Sequence, residues 1–225
     1  LVTRNKSMHI KKFKHLYDRD GDFRTTLDEA YKMVEELKIL PSMRSMQFAG
    51  TPIELMNNRI YNCAFMPVDS FDTFSEAMFL LMGGTGVGYS VQKHNVNKLP
   101  ERKSRYRELT EGTGRYSNRA LDYADMIIKR ESNHLVEDSI IGWAEAIKIC
   151  ISGAMNGIRV DFNYDLVRPK GALLKTSGGR APGPEPLKLC IDNIQDLIFD
   201  EVPIGSKLTP IQAHDIMCHL ADAVL

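Results

Sequence analysis

Residues 59–92, RIYNCAFMPVDSFDTFSEAMFLLMGGTGVGYSVQ, predict an α/β fold with parallel strands. Three observations carry this. Ile60 to Val68 is an apolar run of strand length. A segment opening at Asp69-Ser70 places Phe71, Phe74, Met78, Leu81 and Met82 at helical spacing. The glycine turn Gly83-Gly84-Thr85-Gly86-Val87-Gly88 then leads into a second strand-like piece. Strand, helix and strand joined this way are the unit of parallel sheets.

The chain has 225 residues, enough to bury a substantial core as one large domain or two small ones. Its formal net charge is zero, so no global field draws it to nucleic acid or to an anionic membrane surface. No apolar run reaches the length of a membrane span, and no secretory signal is visible. Cys63, Cys150, Cys190 and Cys218 are scattered without a CxxC pair, which points to a reducing, cytoplasmic compartment and away from a zinc site. The chain starts at Leu1 and ends within a helical pattern at Leu225, so a piece of a longer protein is expected.

In chain order, residues 1–40 read as a helical region, with Ile10, Phe13 and Leu16 followed by Leu27, Ala30, Tyr31, Val34 and Leu37. Asp18 to Phe23 has the look of a calcium loop, but Phe23 stands where the sharp turn needs glycine. Thr26 with Glu29 is expected to open the following helix as a capping box. In Leu40 to Gly50, the hydroxyls of Ser42 and Ser45 are suited either to phosphate oxygens or to capping local backbone.

Cys63 sits in the middle of the first strand. A cysteine in an apolar run is commonly a small buried hydrophobe, but on a sheet strand it can also present sulfur to a ligand. The glycines after the helix permit close backbone approach to a phosphate or sugar. They fit neither the dinucleotide fingerprint nor a P-loop.

Lys93 to Arg119 is polar and basic, with Gly112 and Gly114, and is expected as an exposed insertion. Helical spacing returns at Leu121 to Ile128. His134 to Val136 and Ile158 to Phe162 read as strands, flanking a helix capped at Asp138-Ser139. Thr176 to Pro184 is a second glycine-rich loop, in which Arg180 is suited to clamp a phosphate, to stack on a base, or to face solvent in a turn. Two amphipathic helices, Leu187 to Phe199 and Pro210 to Leu225, close the chain. In the last of them His214 and Cys218 share a face but lack further metal ligands nearby.

Four segments together resemble one family: LPSMRSMQFAG (40–50), RIYNCAF with GGTGVGYSVQ (59–92), VEDSIIGWAEA (136–146) and VRPKGALLKTSGGRAPGP (167–184). They are similar to the N-terminal part of the adenosylcobalamin-dependent (class II) ribonucleotide reductases, closest to the monomeric ribonucleoside-triphosphate reductases. The resemblance implies a ten-stranded α/β barrel, of which residues 41–225 would hold the first part. A helical effector region would be inserted at about 93–155. It implies ribonucleotide reduction by thiyl-radical chemistry started by adenosylcobalamin, for DNA synthesis. The implied partners are a ribonucleotide substrate, a deoxynucleotide effector and thioredoxin or a similar reductant, with no nucleic acid and no membrane.

Residue by residue, the resemblance makes Cys63 one member of the cysteine pair that supplies electrons. Ser45 would help hold the substrate phosphates, and Asn62 with Gly83, Gly84, Thr85 and Gly86 would line the substrate. Asp69 and Ser70 would begin the helix that contacts the effector. Thr176, Ser177, Gly178, Gly179 and Arg180 would form the loop that relays effector identity. The radical cysteine, the partner of Cys63 and most of the cobalamin site are expected beyond Leu225, so this chain is not expected to turn over nucleotide alone. Cys150, Cys190 and Cys218 are expected to be structural. A class I, iron-dependent large subunit shares the barrel and is the rival enzyme, although the Trp143 and Arg180 motifs look like class II. A nucleotide-binding module without chemistry, with Cys63 in its core, is the rival of another kind.

Overall fold

The computed structural model describes residues 1–104, 133–174 and 179–224. Gly112, Gly114, the helical spacing at Leu121 to Ile128, and Thr176, Ser177 and Gly178 lie outside the described residues. The described chain divides into two compact units. The first comprises Leu1–Ala64 with Gly83–Gly86, Leu174 and Gly179; the second holds the rest. Residue 40, the expected end of a helical region, lies inside the first unit.

The first unit is built from α1 (Val2–Lys12), α2 (Lys14–Arg19), α3 (Gly21–Glu35), α4 (Met43–Phe48) and α5 (Thr51–Leu55), followed by a 3₁₀ turn at Asn57–Ile60. The capping box expected at Thr26 and Glu29 is not a helix start, because both residues lie within α3. Asp20 displaces it: its Oδ1 accepts from the backbone N–H groups of Asp22 and Phe23, each at 3.0 Å. That carboxylate satisfies two orphan donors and complements the helix dipole, so the helix begins a turn and a half earlier. Ser42 does cap α4, its hydroxyl accepting from Ser45 N at 3.4 Å. The apolar core here is small: Met8, Ala49 and Ile53, with Phe48 and Ile60 packed against them.

The second unit is larger. α6 (Asp72–Met82), α8 (Ile140–Met155), α9 (Glu185–Glu201) and α10 (Pro210–Asp222) pack on one another, α8 against α6 and α9, and α10 against α9 and α6. Phe74, Met78, Ile147, Ile151, Leu187, Ile191, Ile194, Ile198 and Ile216 are all fully buried between them. α8 and α10 open on signals visible in the sequence. Ser139 accepts from Gly142 N at 2.9 Å, and Thr209 with Gln212 forms a capping box ahead of Pro210.

Strands are short. β3 (Asn133–Leu135) and β4 (Asp161–Asn163) pair in parallel, His134 opposite Phe162. β1 (Cys63–Pro67) pairs with β2 (Gly86–Ser90). Gly86 N donates to Asn62 O and Val68 N to Ser90 O, both at 2.9 Å. The two bonds advance in the same direction along both strands, so this pair is parallel too, with α6 as its crossover. Among the described residues these are two separate two-stranded sheets, and the expected ten-stranded barrel is not seen in them. The strand expected from Ile158 starts later, at Asp161. Val160 is bound instead by the buried amide of Gln195, which accepts from Val160 N at 2.8 Å and donates to Val160 O at 3.2 Å.

The expected exposed stretch from Lys93 also needs correction at its start. Lys93–Val96 forms the short helix α7, and Val96 and Leu99 are fully buried. Two apolar residues one helical turn apart suffice to anchor an otherwise charged run.

Candidate functional site

β1 has the period-two pattern of a half-buried strand, and it decides the face of Cys63. Met66 is buried, whereas Cys63 and Phe65 are exposed. The reading of Cys63 as a core cysteine therefore does not describe it. The start of this strand is bound to the glycine turn. Thr85, 2 % exposed, donates its hydroxyl to Tyr61 O at 3.3 Å, and Gly86 N donates to Asn62 O at 2.9 Å. Gly83 is buried, and Gly84 has φ +81°, a conformation that L side chains rarely adopt. A β-carbon on Gly84 would also stand 3.0 Å from Nη1 of Arg44, whose guanidinium donates to the Gly84 carbonyl.

Arg44 reaches this turn from α4, and the same helix carries Ser45 and Phe48. The Arg44 guanidinium lies 5.4 Å over the Phe48 ring, and that of Arg59, itself 5 % exposed, lies 5.9 Å over it. Burial, followed by the charge of Arg44, pushes the Arg59 pKa below its ordinary value. Ser45 is buried beside Asn5, whose amide donates to Ser45 Oγ at 2.8 Å and to Ser45 O at 2.7 Å. The Tyr31 hydroxyl donates to Asn5 Oδ1 and lies 2.8 Å from His9 Nδ1. Burial raises the Tyr31 pKa, so its proton stays in place. Ser45, Asn62, Cys63 and Gly83 to Gly86 thus all belong to the first unit. Sequence reasoning passed over Arg44, Phe48, Arg59 and Asn5. The available signal was the pair of arginines inside the LPSMRSMQFAG and RIYNCAF segments.

The second unit holds Asp69, Ser70 and Arg180. Asp69 pairs with Lys98 at 3.1 Å, and Ser70 Oγ lies 3.4 Å from Thr73 Oγ1 just before α6. Arg180 is exposed and donates to Gly171 O at 3.0 Å, across a turn in which Leu173 and Arg180 form an antiparallel bridge. Gly179, in the first unit, is exposed with φ +87°. Cys150 and Cys190 are buried. Burial pushes the Cys190 thiol up to about 12 and that of Cys150 higher still, so neither is a nucleophile at neutral pH. Cys218 is exposed, 3.6 Å from His214 Nε2, while His214 Nδ1 lies 2.8 Å from the Tyr89 hydroxyl. Among the described residues, no group of three or more His, Cys, Asp or Glu could hold a metal ion, and no helix is long and apolar enough to cross a membrane.

No family model matches the chain. An adenosylcobalamin-dependent ribonucleoside-triphosphate reductase of Lactobacillus helveticus (strain DPC 4571) is 26% identical over 231 residues, covering 85% of this chain and 31% of that protein. Its counterpart in Lacticaseibacillus paracasei is 28% identical over 228 residues, 83% of this chain and 30% of the other. That of Euglena gracilis is 25% identical over 189 residues, 82% and 23%. Among solved structures, a B-12 dependent (class II) ribonucleotide reductase matches 99% of this chain and 36% of its own, with a TM-score of 0.74 at 21% identity. The fold is that of part of a class II ribonucleotide reductase.

The resemblance read from the sequence stands, and it covers most of the chain. The chain spans about a third of the length of the Lactobacillus and Lacticaseibacillus relatives. The names of all three relatives and of the structure carry the cobalamin-dependent class, not the iron-dependent rival.

Proposed function

We propose that this chain is the part of an adenosylcobalamin-dependent ribonucleotide reductase that receives the nucleotide and supplies one thiol to reduce it. The observation that carries the reading is Cys63: an exposed cysteine at the first residue of β1, joined through Asn62 to a glycine turn. Exposed sulfur beside a turn with freely approachable backbone is what a thiol acting on a bound sugar requires.

In this reading Cys63 and a second cysteine each give up a proton and an electron as their disulfide forms. At the ribose 2′ carbon the C–O bond breaks and the hydroxyl leaves as water with one of the two protons, while the other proton and the two electrons form the new C–H bond. Thioredoxin or a similar thiol reductant then returns the disulfide to the dithiol. When bound, adenosylcobalamin would supply the radical that opens the reaction. Two clefts among the described residues, about 470 and 510 Å3, are open and lined largely by carboxylates and amides. They do not fit a corrin ring.

Ser45 accepts the Asn5 amide and keeps its own hydroxyl proton to donate to a substrate phosphate. Asn62 and Gly83 to Gly86 border the sugar. Asp69 and Ser70 at the entry to α6, and Gly179 with Arg180, serve a deoxynucleotide effector; Thr176, Ser177 and Gly178 complete that loop in sequence. The ten-stranded barrel, a triphosphate substrate and a cytoplasmic location belong to the same proposal.

The test is Cys63→Ser in the full-length protein. Deoxynucleotide production over many turnovers with a thiol reductant is expected to fall at least about a hundredfold, with nucleotide affinity within about twofold of the parent, since a hydroxyl cannot form the disulfide. Unchanged steady-state production would remove Cys63 from the reaction.

A further inference from the structure

The four cysteines divide by environment. Cys150 and Cys190 are buried, and Cys63 belongs to the site in the first unit. Cys218, expected from the sequence to be structural, is exposed on α10 in the second unit, with a base and an aromatic hydroxyl close by. His214 stands four residues earlier on the same helix face and places Nε2 3.6 Å from the Cys218 sulfur. Tyr89 of β2 holds the other ring nitrogen, its oxygen 2.8 Å from His214 Nδ1. Burial, followed by the proximity of Cys218, raises the Tyr89 pKa, so its oxygen stays a neutral phenol. With the ring proton on Nδ1, donated to that oxygen, Nε2 presents its lone pair to the thiol. A thiol with an acceptor for its proton and an open face is a nucleophile toward disulfides.

The surroundings select the reagent. Cys218 and His219 line an open cleft of about 470 Å3 between α9 and α10, whose walls carry Asp196, Asp200, Glu201, Asp215 and Asp222. Asp196 pairs with Arg159 at 2.7 Å. Among the described residues no ion pair involves the other four carboxylates. Walls of one sign concentrate cations and repel anions at the sulfur.

We propose that Cys218, with His214 as its base, is a thiol-modification site that undergoes thiol–disulfide exchange with small cationic disulfides. The Cys218 sulfur attacks one sulfur of the disulfide, and its proton passes to His214 Nε2. The reagent's S–S bond breaks, and Cys218 keeps one half as a mixed disulfide. The other half leaves as a thiol, taking the proton back from His214. Cys218 is oxidised and the departing half is reduced, so no further oxidant enters.

Cystamine, a dication, and oxidised glutathione, a dianion, test this on the full-length protein, with peptide mass spectrometry reading Cys218 separately from Cys63. Rates are taken relative to Cys218 in the urea-unfolded protein, which removes the intrinsic reactivity of each reagent. Folded Cys218 is expected to favour cystamine by about tenfold or more at low salt, and this preference should shrink at about 1 M salt. His214→Gln should slow both reagents by about tenfold or more. Asp215→Asn combined with Asp222→Asn should cut the preference severalfold without slowing the glutathione reaction. Thermal unfolding of each variant separates a loss of fold from a loss of reactivity, and the reagent preference of the parent stands without any variant. If folded Cys218 reacts with neither reagent, if it reacts with both alike, or if folded His214→Gln reacts as fast as the parent, the site is overturned.

Discussion

In the first unit, Asn5, Ser45, Tyr31 and Arg59 are buried beside an apolar cluster of only Met8, Ala49 and Ile53. The second unit buries Phe74, Met78, Trp143, Ile147, Ile194 and many more apolar side chains against few polar ones, such as Gln195 and Gln212. The first unit is thus held by a polar network, each member of which depends on its neighbour. The second is held by non-directional apolar burial, which tolerates local error. It is the polar unit that contains Cys63, the glycine turn and the Arg44–Phe48–Arg59 stack. Directional groups are what a binding site needs, and they leave less apolar surface to stabilise the unit that carries them.

The sharpest way to break this comparison is to remove apolar volume from the second unit. Phe74→Ala, at a fully buried position, is expected to cost about 3–5 kcal/mol in urea unfolding, from lost transfer energy and the cavity left behind. In the first unit, Asn5→Ala removes the donor to Ser45 and the acceptor for Tyr31, and is expected to cost about 1–3 kcal/mol through the buried groups left unpaired. A larger loss from Asn5→Ala than from Phe74→Ala would show that the polar network, and not apolar burial, dominates stability.

The smallest effect sharpens the picture at the first unit's surface. Lys6 and Asp28 pair at 2.8 Å between α1 and α3, and the hydrogen bond from Lys6 is the main reason the Asp28 carboxyl titrates below its ordinary value. A depressed carboxylate pKa stabilises the fold above the unfolded value, about 3.9, and that contribution is lost as pH falls through the folded value. Asp28→Asn should therefore lower the urea midpoint slightly at pH 7, and the difference from the parent should shrink below about pH 4. A difference that grows on acidification would contradict the pairing.

Much of this protein was legible along the chain, because the signals are local. Pro210 behind Thr209, Ser139 ahead of Ile140, and the glycines after Met82 each act on backbone within a few residues, and helices α8 and α10 and the turn after α6 appear where those signals place them. The order of motifs carried the resemblance. The Thr26 capping box shows where local reasoning misleads: Asp20 is an equally local cap, and nothing short of the folded helix ranks the two. Tertiary structure alone decided which face of β1 Cys63 occupies, since an apolar run from Ile60 to Val68 has no polar alternation to mark its outer side. It alone brought Asn5 to Ser45, forty residues away, and gave Phe48 an arginine from its own helix and another from the turn before β1. Local propensity acts through near neighbours in sequence. Contacts across such separations depend on how whole helices pack, and that is settled only when the chain has folded.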